Sequence, residues 1–239
     1  RPGPRVEIAP DVIAATQRAA EAIGASHFTF FYAVYMVLLA RLPGSDRVAT
    51  TFQSAGRRGK PGADQAHVVF SNSLILGTRV DETESIRNLA SRLRTEIREA
   101  IAHEIFPYHH VIRSTGVHPR FAINWYPPSP SGGVDGITFT GIDIDENQDD
   151  DDLNLRFSSY RDAWQVVAYY DPAAFSAERV RAMGEQMIAL AAAFSRDVDA
   201  PIRTVRSADL APPGVLPDSP GPLPGGGEAL IHSAFLDRA

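Results

Sequence analysis

Fifteen consecutive residues, 28–42 (FTFFYAVYMVLLARL), hold a single charge, Arg41, and are apolar on nearly every side. A helix of that kind has no face to offer water and is buried. It is also too short for a bilayer, which takes roughly 20 apolar residues to cross. The run therefore reads as the core helix of a globular domain, with Ser26 as its N-cap and Pro43-Gly44 as its stop. Nothing before it has the charged start, apolar run and small-residue cleavage site of a secretion signal.

The rest of the chain supplies partners for that helix. After a short apolar segment at 6–8, Pro10-Asp11 opens a helical pattern in which Val12, Ala15, Ala19 and Ile23 recur at three- and four-residue spacing up to Gly24. Residues 48–52 (VATTF) read as a strand, 54–63 as a loop rich in Gly, Arg and Lys, and 68–80 as a strand pattern broken by small polar residues. Residues 82–103 predict a long amphipathic helix with Ile86, Leu89, Leu93, Ile97 and Ile101 on one face, ended by Pro107. Strands are expected at 121–126, 137–144, 153–160 and 164–170, the last two joined by a tight Arg161-Asp162 turn. Ser176 caps a final helix whose stripe is Val180, Met183, Met187, Leu190 and Phe194. Strands and helices in this order argue for an α/β or α+β layered domain over about residues 5–210.

Beyond it, residues 211–227 carry six prolines and five glycines in 17 positions, too many for packed structure, and read as a linker. Residues 228–239 begin an amphipathic segment with Leu230, Ile231 and Phe235. The opening Arg1-Pro2-Gly3-Pro4, with no initiator Met, reads as the start of a piece of something longer. With no cysteine there is no disulfide, thiol nucleophile or Cys-ligated metal, a pattern that fits a reducing cytoplasm. The net charge of −6 disfavours nucleic acid as a partner.

Three segments carry a family resemblance. VFSNSLILGTR at 69–79 is similar to the G-x-F-V-N-T-x-x-x-R strand of condensation domains from nonribosomal peptide synthetases; HEIFPY at 103–108 is similar to their H-Q-D-x-P-F-E segment; and PRFAINW at 119–125 stands where they have P-L-F-Q-V-M-F. Ala55-Gly56-Arg57 resembles their "GR" loop, Asp152-Leu153-Asn154-Leu155 their D-L-T-L strand, and 171–183 the start of their last helix. Ser71, Glu104-Ile105 and His109 depart from the pattern, replacing Val, Gln-Asp and Glu.

The resemblance implies that residues 1–210 are the C-terminal, chloramphenicol-acetyltransferase-like lobe of a two-lobed domain, an α/β fold (α+β two-layer sandwich) with a mixed sheet flanked by helices. In such a domain two substrates, each tethered by phosphopantetheine to a carrier protein, meet in a tunnel between the lobes. It implies that Asn72, Ser71, Arg79 and Asn124 line the acceptor side of the tunnel and that Arg57 and Arg58 belong to its floor loop. The expected partners are the N-terminal lobe, a carrier protein and an adenylation domain, whose opening helix 230–235 (LIHSAF) resembles; no cofactor is expected on the chain itself, and no nucleic acid or membrane. The family motif H-H-x-x-x-D-G belongs to the other lobe, so no catalytic residue is assigned and the chain is expected to be silent alone. A lobe kept as a structural platform for the adenylation domain or a recruited enzyme is the alternative, and a free-standing coenzyme A acyltransferase a third.

Other constellations dissolve on inspection. His109-His110 lacks the following Asp and Gly, having Ser114 and Thr115, and reads as helix surface. His103-Glu104 has Pro107 where a second zinc-binding His belongs. Asp143, Asp145, Asn147 and Asp149 alternate like a calcium loop, but Gln148 replaces the required Gly and Asn154 the closing Glu, leaving a solvated acidic loop. Arg57-Arg58-Gly59-Lys60 reads as a surface loop first and as a phosphate clasp second. Asn72 and Asn124 stand inside apolar strands, where a buried amide must find hydrogen-bond partners.

Overall fold

The computed structural model describes residues 2–42, 46–57, 59–126, 132–134, 137–139, 151–160 and 163–206. The expected Pro43-Gly44 stop, the Arg161-Asp162 turn, the acidic loop 143–149, the linker and the segment 228–239 lie outside them. The element order is β1 (Pro2–Ile8), α1 (Pro10–Ala22), α2 (His27–Arg41), β2 (Arg47–Ser54), β3 (Asn72–Arg79), α3 (Ile86–Ala102), α4 (Tyr108–Thr115), β4 (Phe121–Trp125), β5 (Gly132–Val134), β6 (Ile137–Phe139), β7 (Leu153–Tyr160), β8 (Ala163–Tyr170) and α5 (Ala177–Phe194).

Six strands make one mixed sheet in the order β1-β8-β7-β4-β2-β3. The pairs β1/β8, β8/β7 and β2/β3 are antiparallel, while β4 runs parallel to both β7 and β2. The hairpin β5/β6 forms a separate ribbon. This is the expected mixed sheet with helices packed on it.

The apolar run is the centre of the domain. Ser26 caps α2 by accepting the Thr29 N–H at 3.0 Å, and every residue from Thr29 to Ala40 is buried. α1, α3 and α5 pack against α2, which also meets β2 and β4. Each fully buried Phe, Leu or Met contributes roughly 2 kcal/mol relative to exposure, so this helix holds the largest share of the core. Its two buried tyrosines differ. The Tyr32 hydroxyl shares a 2.6 Å hydrogen bond with the Thr50 hydroxyl, whereas the Tyr35 hydroxyl finds no partner among the described residues. Burial pushes both phenols above their ordinary range.

Two expectations are corrected. The helix expected at 82–103 starts at Ile86, because Ser85 is extended, bridges to Pro201 and accepts the Asn88 N–H at 3.3 Å as N-cap. Asp81 turns the chain just before, taking the Thr83 N–H and hydroxyl at 2.8 and 2.7 Å. The strand expected at 68–80 begins only at Asn72, since Val68 is held in a loop by a guanidinium hydrogen bond from Arg57 to its carbonyl, 2.7 Å.

A strap after α5 also escaped the sequence reading. Residues 198–205 lie across the start of α3, with the N–H groups of Ile202 and Arg203 bonded to the carbonyls of Glu84 and Glu82 at 2.8 and 2.9 Å. Ile202 is fully buried. Arg41, the one charge of the apolar run, grips Glu82 through two hydrogen bonds of 2.8 and 2.9 Å and donates to the carbonyls of Ile202 and Val205. The tether therefore ties the C-terminal end of α2 to the strap. No single helix among the described residues is long and apolar enough to cross a membrane.

Both tryptophans of the chain sit together at one end of this core. His27, at the start of α2, has its ring 5.0 Å from Trp125 and 6.4 Å from Trp164, and its Nε2 lies 2.8 Å from the Thr16 hydroxyl. Burial lowers the His27 pKa below 6.5, opposed in part by the Glu21 charge. The folded state thus resists a proton that the unfolded chain accepts, so stability is complete above about pH 6.5 and falls as the pH drops through that value. Urea midpoints should decline between pH 7.5 and 5.5, and His27→Gln should flatten that decline. Tyr32→Phe, which orphans Thr50, should cost about 1–2 kcal/mol in urea unfolding, while Tyr35→Phe should be neutral or stabilising.

Candidate functional site

Two of the three segments that carried the resemblance, 69–79 and 103–108, meet at one edge of the sheet. β3 is the edge strand beside β2, with Asn72 opposite Ser54 in the register. Just past the end of α3, the chain turns a corner through residues 103–107 into α4. Asn72 holds that corner. Its Nδ2 donates to the carbonyls of Glu104 and Phe106 at 2.9 and 2.7 Å, and its Oδ1 accepts the Tyr108 N–H at 3.2 Å. An amide suits this task because it donates twice and accepts on the same planar group.

The loop between β2 and β3 closes over the corner from the other side. Gly56 has φ of +66°, and a Cβ there would stand 2.1 Å from the Phe70 carbonyl oxygen, so only glycine fits. Arg57 knots the loop by donating to the carbonyls of Ala63, Ala66 and Val68, and its guanidinium lies 5.0 Å from the Phe70 ring centre. The Ser54 hydroxyl donates to one oxygen of Glu104, and the Lys60 ammonium stands 3.2 Å from the other while also donating to the Gly56 carbonyl. The Ser54 hydrogen bond, with help from Lys60, holds the Glu104 carboxyl below its usual range against the opposing effect of burial.

The candidate residues fall into separate groups. Asn72 holds the corner, Arg57 holds the adjoining loop, and Ser71 lies exposed just outside β3 next to Asn72. Arg58 lies outside the described residues. Asn124, 5% exposed, stands on β4 on the far side of β2, where it accepts the Gln53 N–H at 2.9 Å and donates to Asn154 at 3.2 Å. The backbones of β2 and β4 pair only at Thr51 and Ala122, so the Asn124 amide serves Gln53 where the two strands part. Arg79 does not join the group. It ends β3, roughly 23 Å along the strand from Asn72, and its side chain, 74% exposed, pairs with Asp46 at 2.6 Å.

The guanidinium of Arg57 is spent on carbonyls of its own loop, which leaves the phosphate-clasp reading of this loop without support at that residue. Glu104, Lys60 and Ser54 were not singled out as a group by sequence reasoning, although Glu104 marked a departure from the family pattern and Lys60 stood in a cationic loop. His109 and His110 are exposed on α4, as expected of helix-surface histidines, with ring centres 4.5 Å apart. Among the described residues no three His, Asp or Glu side chains gather as a metal site would require.

Around this polar knot the surface is apolar. Val68, Val69, Ile105 and Phe106 are 56, 87, 83 and 54% exposed, and Arg57, Ala66, His67, Val68 and Val69 line an open depression of about 620 Å³.

The family model described as Condensation domain matches residues 4–211. The chain belongs to the condensation domain family. It is similar to the nonribosomal peptide synthetase ungA of Aspergillus violaceofuscus, 24% identical over 216 residues, and to surfactin synthase subunit 1 of Bacillus subtilis, 23% identical over 137. These matches take in 85% and 54% of this chain but only 2% and 4% of those proteins. In fold it is similar to holo-AB3403, a four-domain nonribosomal peptide synthetase bound to AMP and glycine, with a TM-score of 0.74 at 13% identity over 87% of this chain and 18% of that one. The first condensation domain of the CDA synthetase gives 0.71 at 19% identity, and that of the monacolin K polyketide synthase MokA 0.73 at 18%. Those two matches take in 85% and 83% of this chain and 47% and 48% of those domains, so this condensation-domain chain spans about half their length.

Replacing Asn72 should show that its amide works on the backbone. Asn72→Ala removes partners from two carbonyls and one N–H and should cost about 1–3 kcal/mol by urea unfolding. Asn72→Asp, which turns a carboxylate oxygen toward two carbonyls, should cost at least as much. Gly56→Ala should increase protease cleavage within 55–70, since the loop cannot keep its path over Phe70.

Proposed function

We propose that this chain is the C-terminal lobe of a nonribosomal peptide synthetase condensation domain, contributing the acceptor side of the site where two carrier-bound substrates are joined by an amide bond. The observation that carries this reading is the match of one whole sheet-and-helix lobe to about half of each solved condensation domain. The corner built by Asn72, with Ser71 beside it, would form part of the tunnel wall and the 55–70 loop its floor. Asn124, buried on β4, would belong to that wall through β2, which it supports, and Arg79 would stand at the other end of β3 from Asn72. Residues 211–227 would link the lobe to an adenylation domain opening at 228–239, with phosphopantetheine supplied by carrier proteins of the same cytoplasmic synthetase.

Alone, the lobe should be silent. Forming an amide requires two tethered groups to be held in attack geometry and a base to take the proton of the attacking amine. The corner offers neither: both Glu104 oxygens are engaged by Ser54 and Lys60, which hold its carboxyl below the usual range and so make it a weaker base, and Arg57 is tied to carbonyls. The alternative, a lobe serving as a platform for the adenylation domain or a recruited enzyme, draws on the departures at Glu104-Ile105 and His109. The coding sequence upstream of Arg1 separates the two readings, because an adjoining lobe with an intact H-H-x-x-x-D-G motif supports the enzyme and another kind of domain there supports the platform.

Loaded donor and acceptor carrier proteins mixed with this chain should yield no amide product above the buffer control by mass spectrometry. The polypeptide that joins this lobe to its N-terminal partner should give product. Turnover by the isolated chain would defeat the proposal, and coenzyme A binding seen by calorimetry would favour a free-standing acyltransferase.

A further inference from the structure

Loop 55–70 is long, and among the described residues its only regular piece is a 3₁₀ turn at Ala63–Gln65. Among the described residues its backbone hydrogen bonds to other backbone groups are all internal: Lys60 to Arg57, Ala63 to Lys60, Gln65 to Gly62 and Ala66 to Ala63. Arg57 gives the loop its shape, but its bonds also stay within the loop. The side-chain tie that leaves the loop for the α3–α4 corner is Lys60 to Glu104. Glu104 is suited to receive it, being only 9% exposed with its second oxygen on the Ser54 hydroxyl, at the point where β2 hands over to the loop. Its main-chain carbonyl is in turn held by Asn72. One residue thus binds β2, the loop and the start of β3 together.

We infer that Lys60 and Glu104 are positioning residues, an ion pair that fastens loop 55–70 to the α3–α4 corner and so sets where Val68-Val69 and Ile105-Phe106 stand relative to each other. Glu104 occupies the place of the Gln in the family pattern quoted above. A neutral amide would still accept from Ser54 but would not draw in the Lys60 cation, so the fastener belongs to this chain's own sequence. Partial exposure of Lys60 makes the pair sensitive to salt, whereas the Arg57 knot, neutral acceptors bonded at short range, is far less so. The consequence for a condensation site rests on the proposed function; the fastener itself does not.

Hydrogen exchange read by mass spectrometry on the 239-residue chain tests the pair. Glu104→Gln and Lys60→Met should each speed exchange in 59–70 and 104–108 at least about threefold, and the double variant should exchange no faster than either single, as a coupled pair requires. Raising the salt from about 0.05 to 0.5 M should speed wild-type exchange there and leave the variants unchanged. Far-ultraviolet circular dichroism should stay as in wild type, showing that the fold is kept. Unaltered exchange in both single variants, or effects that add in the double, would overturn the inference. In the polypeptide carrying both lobes, Glu104→Gln should lower the condensation rate and remove its salt dependence. Faster exchange with an unchanged rate would overturn the positioning role. Absence of condensation by the wild-type polypeptide would instead count against the proposed function, with the exchange measurements still deciding whether the pair fastens the loop.

Discussion

A helix that water never touches organises this domain. α2 needs apolar neighbours on all sides, and the chain meets that demand with a mixed sheet together with α1, α3 and α5. The requirement reaches even the polar groups at its ends. Ser26 closes the N-terminus, while Arg41 closes the C-terminus by gripping Glu82 and two carbonyls of the strap. Once these are in place β2 and β3 have little freedom, and the edge of the sheet where the candidate site stands is fixed by the same packing.

The site follows from a second constraint, the need to pair backbone groups where regular structure stops. β2 and β4 separate after Thr51 and Ala122, and Asn124 serves the Gln53 N–H left by the split. α3 runs out at Ala102, and Asn72 serves two carbonyls and an N–H in the turn that follows. In both places a side-chain amide stands in for a strand or helix partner. With the main chain satisfied inward, Ile105 and Phe106 are left facing outward beside Val68 and Val69. That combination of a polar knot and exposed apolar side chains gives a surface whose shape is held before anything approaches it.

The regular elements were legible because they rest on local rules. Ser26 and Ser176 are caps written in one residue type, and the stripes of α3 and α5 repeat at helical spacing, whereas the Ser85 cap of α3 went unread. Asn72 and Asn124 were legible as amides in need of partners, but not which partners, since these lie 32 to 36 and 71 residues away in the chain. Valines at 68 and 69 followed by Phe70 looked like strand because periodicity cannot register the Arg57 side chain that holds Val68 in a loop. The strap across α3 was invisible for a similar reason: Pro201 interrupts the short apolar series Val198, Ile202 and Val205, and the packed α3 supplies its burial.

By itself, the sequence determined the core helix, the kind and order of most of the main elements and membership of an α/β class, because apolar periodicity and capping act over a few residues. It also held the segments 69–79, 103–108 and 119–125 that mark the family. The tertiary structure alone decided that the first two of these segments meet, that Arg79 stands apart from Asn72 at the other end of β3, and that Glu104 joins Ser54 to Lys60. Those outcomes depend on the direction in which β2, β3 and α3 leave the core, and that direction is set by packing around α2, which no local stretch of chain encodes.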